Sequence, residues 1–150
     1  MNETFDELKT KMLKYILYKK RTKKELENKF NKYDGNLVED VIKYLEEAEY
    51  INDERYIKKA TEEYMTLKYM SIKEIKYKLQ EKGIELKLIE EYINNNLEVM
   101  EEYEKYSIEK LTEKKQKNLN EEEIKKYLFQ KGFKIWVHHT LKQKKMKLQN

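Results

Sequence analysis

His138 and His139 stand side by side and are the only imidazoles among 150 residues. Metal binding or proton transfer would need partners around them, yet the chain has no cysteine and no acidic residue lies near the pair. Neighbours on a helix also point in different directions, so one packed and one exposed imidazole is the expectation, not a centre. Glu90/Glu91 and Glu101/Glu102 are paired carboxylates, but acid–base work requires a cleft and these sit in acidic stretches that solvent explains. No phosphate loop, nucleophile elbow or zinc-protease pattern occurs. An enzyme is not expected, and neither is a metal or a cofactor.

Lysine offers more. Lys73, Lys76, Lys78 and Lys82 fall within one helical stretch, and Lys78 and Lys82, at i and i+4, place charge on a stripe opposite Ile75 and Leu79. Lys125, Lys126, Lys131 and Lys134 repeat the pattern further on. Such stripes attract DNA phosphate or acidic protein segments, although a plain solvated face looks the same in sequence. Of the 13 tyrosines, Tyr50, Tyr56, Tyr64, Tyr69, Tyr77 and Tyr92 lie near apolar positions. Packing with a wet hydroxyl is their first reading and stacking on unpaired bases the second. Trp136, between Ile135 and Val137, reads as an inter-helix filler and, if exposed, as a contact residue. The closing "KQKKMKLQN" is basic and adds phosphate attraction.

The elements that position these residues follow from composition. Charged residues make up 41% and apolar residues 39%, which favours thin layers over a wide interior. There is no proline and only three glycines, Gly35, Gly83 and Gly132, so little interrupts helices. No disulfide framework, membrane span or signal-peptide core is present in the sequence, which suits the cytoplasm. The formal charge of +4 divides into −4 for residues 1–104 and +8 for residues 105–150. Shorter blocks alternate in sign, with 10 basic and 2 acidic residues over 9–33 and none and 6 over 88–104. Blocks that line up would give one basic and one acidic face.

Thr22, Ser71 and Asn120 are spaced 49 residues apart, and Glu25, Glu74 and Glu123 follow three residues behind. That pattern is the capping box, in which cap and glutamate satisfy each other's backbone N–H. Leu26/Phe30, Ile75/Leu79 and Ile124/Leu128 then supply the same apolar i, i+4 pair. Each helix is expected to end at a glycine: Gly35, Gly83 or Gly132. A further amphipathic helix should follow, with Leu37, Val38, Val41, Ile42 and Leu45 inward in the first copy, and Leu86, Ile89 and Ile93 in the second. The third copy offers Ile135, Val137 and Leu141, and the first is shorter by two residues at its turn. Another helix precedes each cap. Ile16 and Met65 are 49 apart there, but the third copy has Lys114, which predicts a weakly amphipathic helix and the least stable unit.

The expected fold is therefore all-α: three tandem three-helix repeats over residues 1–53, 54–103 and 104–150, the last with a basic tail. Such a row forms an elongated, curved rod on the order of 60 Å long.

"YLEEAEYINDERYIKKATEEY", "MSIKEIKYKLQEKGIELKLIEEYI" and "YLFQKGFKIWVHHTL" resemble the RecX family of bacterial regulators of the RecA recombinase. The three motifs occur in the family's order and cover roughly residues 11–143. Two departures are visible: Ala48 and Glu49 stand where the family usually has a glycine, and Gly35 sits in a shortened first turn. The resemblance implies three three-helix repeats that bind along the groove of the RecA filament and restrain ATP hydrolysis, strand exchange and coprotease activity in DNA repair. It also implies that some members touch DNA. A monomer is expected, because a row of repeats is closed on itself. The alternative is a helix-turn-helix-like regulator that acts on DNA directly.

Overall fold

The computed structural model describes residues 3–133, so Lys134, Ile135, Trp136, Val137, His138, His139, Leu141 and the basic tail lie outside it. The described chain is built of helices, and six of the eight start at a side-chain cap. α1 (Phe5–Tyr18) starts at the Thr4 cap, and α2 (Lys23–Lys29) starts at Thr22 with a complete capping box. α3 (Gly35–Glu47) is capped by Asp34, and α4 (Asp53–Leu67) by Asn52. α5 (Ile72–Glu81) and α8 (Glu121–Gln130) repeat the capping box at Ser71 and Asn120. Between them come α6 (Leu86–Asn95) and the long α7 (Leu97–Lys115).

Three apolar clusters form in chain order. The first joins Leu8, Met12, Leu26, Val41, Ile42 and Leu45 of α1, α2 and α3. The second joins α4, α5 and α6 through Ile57, Ile75, Leu79, Ile89 and Ile93, and it also takes Met100 from α7. In the third, Ile108 and Leu111 of α7 meet Ile124, Leu128 and Phe133. α7 thus spans two clusters and ties them together.

Four expectations change. Gly35 terminates nothing: α2 ends at the cap residue Phe30, and Gly35 opens α3 behind Asp34, whose carboxylate accepts from the Asn36 and Leu37 N–H groups. Gly83 and Gly132 do take the left-handed conformation, at φ 83° and 99°. Leu86 is not inward but 43% exposed. Tyr50 and Tyr77, expected to pack, are 50% and 64% exposed.

The fourth departure is one of register. Leu8, Met12 and Ile16 of α1 match Ile57, Thr61 and Met65 of α4 at the 49-residue spacing, and all six are buried. Among the buried residues of α7, Ile108, Leu111 and Thr112 match the buried Ile57, Ala60 and Thr61 of α4 at a spacing of 51. Lys114 consequently never occupies the core position that the sequence period assigns to it, and is exposed. The stretch from this stripe to its following cap is two residues shorter than in the second unit, 12 from Ile108 to Asn120 against 14 from Ile57 to Ser71, and that moved the stripe.

Candidate interaction surface

The clusters meet at a junction built twice with equivalent residues. Thr22 accepts from the Glu25 N–H at 3.1 Å and donates its own hydroxyl to the Lys82 carbonyl at 2.6 Å. One period on, Ser71 accepts from Glu74 at 3.1 Å and donates to the Lys131 carbonyl at 2.6 Å. Each hydroxyl thereby serves two otherwise unsatisfied helix ends, the N-terminus of its own helix and the C-terminus of the next. Lys82 and Lys131 also turn their ammonium groups to Glu25 at 4.0 Å and Glu74 at 3.2 Å. From the next first helix, Asp53 accepts from the Lys23 N–H at 3.0 Å and buried Glu104 from the Ile72 N–H at 2.7 Å. Asp53 and Glu104 are 51 apart, which confirms the register of α7. Burial pushes the Asp53 carboxyl up, against the N–H of Lys23. The glycines complete the junction: no side chain fits where Gly83 lies on Lys24 and Gly132 on Lys73.

The sequence-predicted lysines fall in several different settings. Lys82 and Lys131 belong to junctions, Lys76 pairs with Glu90 at 3.3 Å, Lys78 with Glu81 at 3.4 Å, and Lys125 with Glu121 at 3.7 Å. Lys73 lies with its stem against Gly132. Lys126 is exposed, and neither it nor Lys73 forms an ion pair among the described residues. The seven that are described do not make one continuous free stripe, and Lys134 lies outside the described residues.

The structure does gather lysines elsewhere. A groove of about 540 Å³ runs between the end of α1, α4 and α5, lined by Lys19, Lys20, Lys59, Lys68, Lys78 and Lys82 around Tyr56, Ala60 and Tyr64, with Glu63 as its sole acid. Lys20 and Lys59 lie side by side, and the Lys59 ammonium holds the Lys20 pKa below its ordinary value. Burial pushes the Tyr56 phenol up to about 12 and raises Tyr64 as well, so both stay neutral donors at the groove floor. Glu63, and the pairs of Lys78 with Glu81 and Lys82 with Glu25, offset only part of the groove's positive charge, and an excess of like charge is typical of surfaces that meet an anionic ligand. One period on, Lys110 stands for Lys59 and Lys131 for Lys82, and Lys114 and Lys115 replace Glu63 and Tyr64, while Tyr69 and Tyr127 stand where Lys20 and Lys78 do. Lys115 lies 4.7 Å over the Tyr127 ring. Of this set sequence reasoning found Lys78, Lys82 and Lys131. The signal for Lys19 and Lys20 was the basic block over residues 9–33, but only the fold brings it to Lys59.

A separate hollow, lined by Glu27, Glu46, Asp53, Glu54 and Glu85 with Lys23 and Lys24, carries the acidic charge near the first junction. Among the described residues no group of histidine, cysteine and carboxylate side chains could hold a metal. None of the described helices is long and apolar enough to cross a membrane.

An all-helical chain with capped, stacked helices and a cationic surface groove defines a class of protein, and comparison narrows it. No protein-family model matches the chain. It is 30% identical over 132 residues to the regulatory protein RecX of Caldanaerobacter subterraneus subsp. tengcongensis, covering 86% of this chain and 66% of that relative. With the regulatory protein RecX of Clostridium tetani it shares 33% over 135 residues, or 83% of this chain and 60% of the relative. The crystal structure of RecX from Lactobacillus salivarius shares the fold at a TM-score of 0.78 and 23% identity, over 93% of this chain and 95% of that one. A second crystal structure of regulatory protein RecX gives 0.78 and 22% over 93% and 73%. The chain belongs to the RecX family of regulatory proteins. It spans between 60% and 66% of the length of the curated relatives it matches.

Proposed function

We propose that this chain binds the RecA filament along its groove in the cytoplasm, as a monomer, and lowers its ATPase, recombinase and coprotease activities without catalysis of its own. In this reading residues 1–53, 54–103 and 104–150 are three units that lie lengthwise on the filament, and affinity comes from contacts repeated along the row. The observation that carries it is the lysine groove around Lys20 and Lys59, with further lysines at Lys110, Lys114, Lys115 and Lys131 one period on. A repeated cationic surface suits a polymer that repeats its acidic groups. Among the lysines named from sequence, exposed Lys73 and Lys126 are the ones left to meet a partner, and the paired ones would contribute by exchanging partners.

Co-sedimentation with RecA on single-stranded DNA tests the reading. The wild-type chain should pellet with the filament, and Lys20→Glu/Lys59→Glu should pellet at least tenfold less. Absence of the wild-type chain from the pellet at excess would refute it. Direct DNA binding is the second reading, favoured by Tyr56 and Tyr64 between the groove lysines, where bases could stack. It requires a salt-sensitive gel shift with DNA alone that RecA does not enhance.

A further inference from the structure

The N-terminal part of α7 carries a feature that neither the junctions nor the groove uses. α4 begins at Asp53, whose counterpart is Glu104, so Leu97–Tyr103 is an extension with no equivalent in α4. Its inner side is accounted for by Met100 in the second cluster. Its outer side presents Val99, Tyr103 and Tyr106 at i, i+4 and i+7, exposed by 57%, 41% and 47%. Together with Glu98 and Glu102 they line a shallow hollow of about 440 Å³. Apolar residues in this pattern on an outward helix face are the mark of a helix-in-groove or helix-on-helix contact.

Charge decides what kind of partner fits. From Leu88 to Glu104 the chain has six acidic residues and no basic one, and exposed Glu98 and Glu102 flank the apolar row; Lys105, 3.5 Å from Glu102, and Lys110, 5.4 Å over the Tyr106 ring, bound it on the C-terminal side. Nucleic acid is repelled from such a rim, whereas lysine or arginine beside an apolar anchor is attracted. A second copy is disfavoured because it would bring the same acidic rim. We infer that the outer face of α7 around Val99, Tyr103 and Tyr106 docks an amphipathic protein segment whose apolar anchors are flanked by basic side chains, supplied by the RecA subunit. The inference rests on the function proposed above and adds a protein-to-protein anchor distinct from the cationic groove.

The test compares wild-type, Val99→Ser/Tyr103→Ser and Glu98→Lys/Glu102→Lys chains for binding to purified RecA filaments, with circular dichroism as the check on folding. The expected result is unchanged melting and at least tenfold weaker binding for both variants, while binding to single-stranded DNA alone stays at the wild-type level. If the wild-type chain binds and both variants bind equally well, the α7 assignment falls and the proposed function stands. If the wild-type chain does not bind RecA, both fall. Concentration-dependent dimerisation lost in the serine variant would make a second copy the occupant, and a lowered melting temperature would mean that the chain covers this face itself. Either result overturns the inference.

Discussion

Replacing each glycine with alanine separates the three turns by more than their sequence suggests. A Cβ on Gly83 would lie 2.5 Å from Lys24 Cγ and harder still against Lys24 Cβ, with φ at +83°. Lys24 Cβ is fixed by its backbone and cannot swing aside, so relief requires the two helices to part. Left-handed backbone in a residue with a side chain costs about 1–3 kcal/mol. Overpacking a close contact adds about 1–3 kcal/mol. Gly83→Ala should therefore lose about 2–6 kcal/mol, a large share of the roughly 5–15 kcal/mol that holds a small domain together. Gly132→Ala meets Lys73 Cβ at 2.9 Å, Lys73 Cδ at 3.0 Å and Ser71 Oγ at 3.1 Å, a milder collision that should cost less. Gly35→Ala meets nothing within 4 Å. It should be neutral or stabilising by up to about 1 kcal/mol, because the unfolded chain loses freedom. Urea unfolding followed by circular dichroism measures all three. Equal losses at Gly35 and Gly83, or none at Gly83, would refute the junction as the reason these glycines are present.

The cap hydroxyls yield a second series: Thr22→Val and Ser71→Ala each lose a cap and leave a carbonyl of the next helix end unpaired, together about 2–4 kcal/mol. Thr22→Ser should be close to wild type, and Asn120→Ala should lose only about 1 kcal/mol, since among the described residues its cap serves α8 alone. Thermal melts will rank them, and an Asn120 loss equal to that at Thr22 would contradict the double role. Glu104→Ala should cost about 1–3 kcal/mol by stranding the Ile72 N–H, while Glu104→Gln keeps an acceptor and should lose less; the same melts decide it. Finally, Lys59 holds the Lys20 pKa below 10.5, so just under that pH the unfolded chain binds more protons than the folded one and this pair makes stability rise with pH. Lys59→Met should remove that rise, and an unchanged slope of melting temperature against alkaline pH would show that the two lysines are not coupled.

Much of this was legible in the residues because capping is local. Thr22, Ser71 and Asn120 with their glutamates announced three helix starts, and all three form complete boxes. What the period could not reveal was contact between units. Gly35 looks like Gly83 in sequence, but only Gly83 and Gly132 have a preceding helix pressed against them, and a first unit without such a neighbour has no need of a left-handed glycine. The 51-residue step of α7 was hidden because Lys114 happens to fall on the expected position, while the true inward set of Ile108, Leu111 and Thr112 is set by packing. Lysine stripes were visible, but their partners Glu25, Glu74 and Glu90 come from other helices, so pairing turned several presumed free charges into junction parts. The groove lysines Lys20 and Lys59 are 39 positions apart and meet only through the fold.

The rate of ATP hydrolysis by RecA on single-stranded DNA, measured while this protein is titrated in, tests the central claim most directly. Progressive slowing by the wild-type chain, with the Lys20→Glu/Lys59→Glu chain much weaker, is the predicted result. Hydrolysis that stays undiminished at a large excess of folded wild-type protein would contradict it.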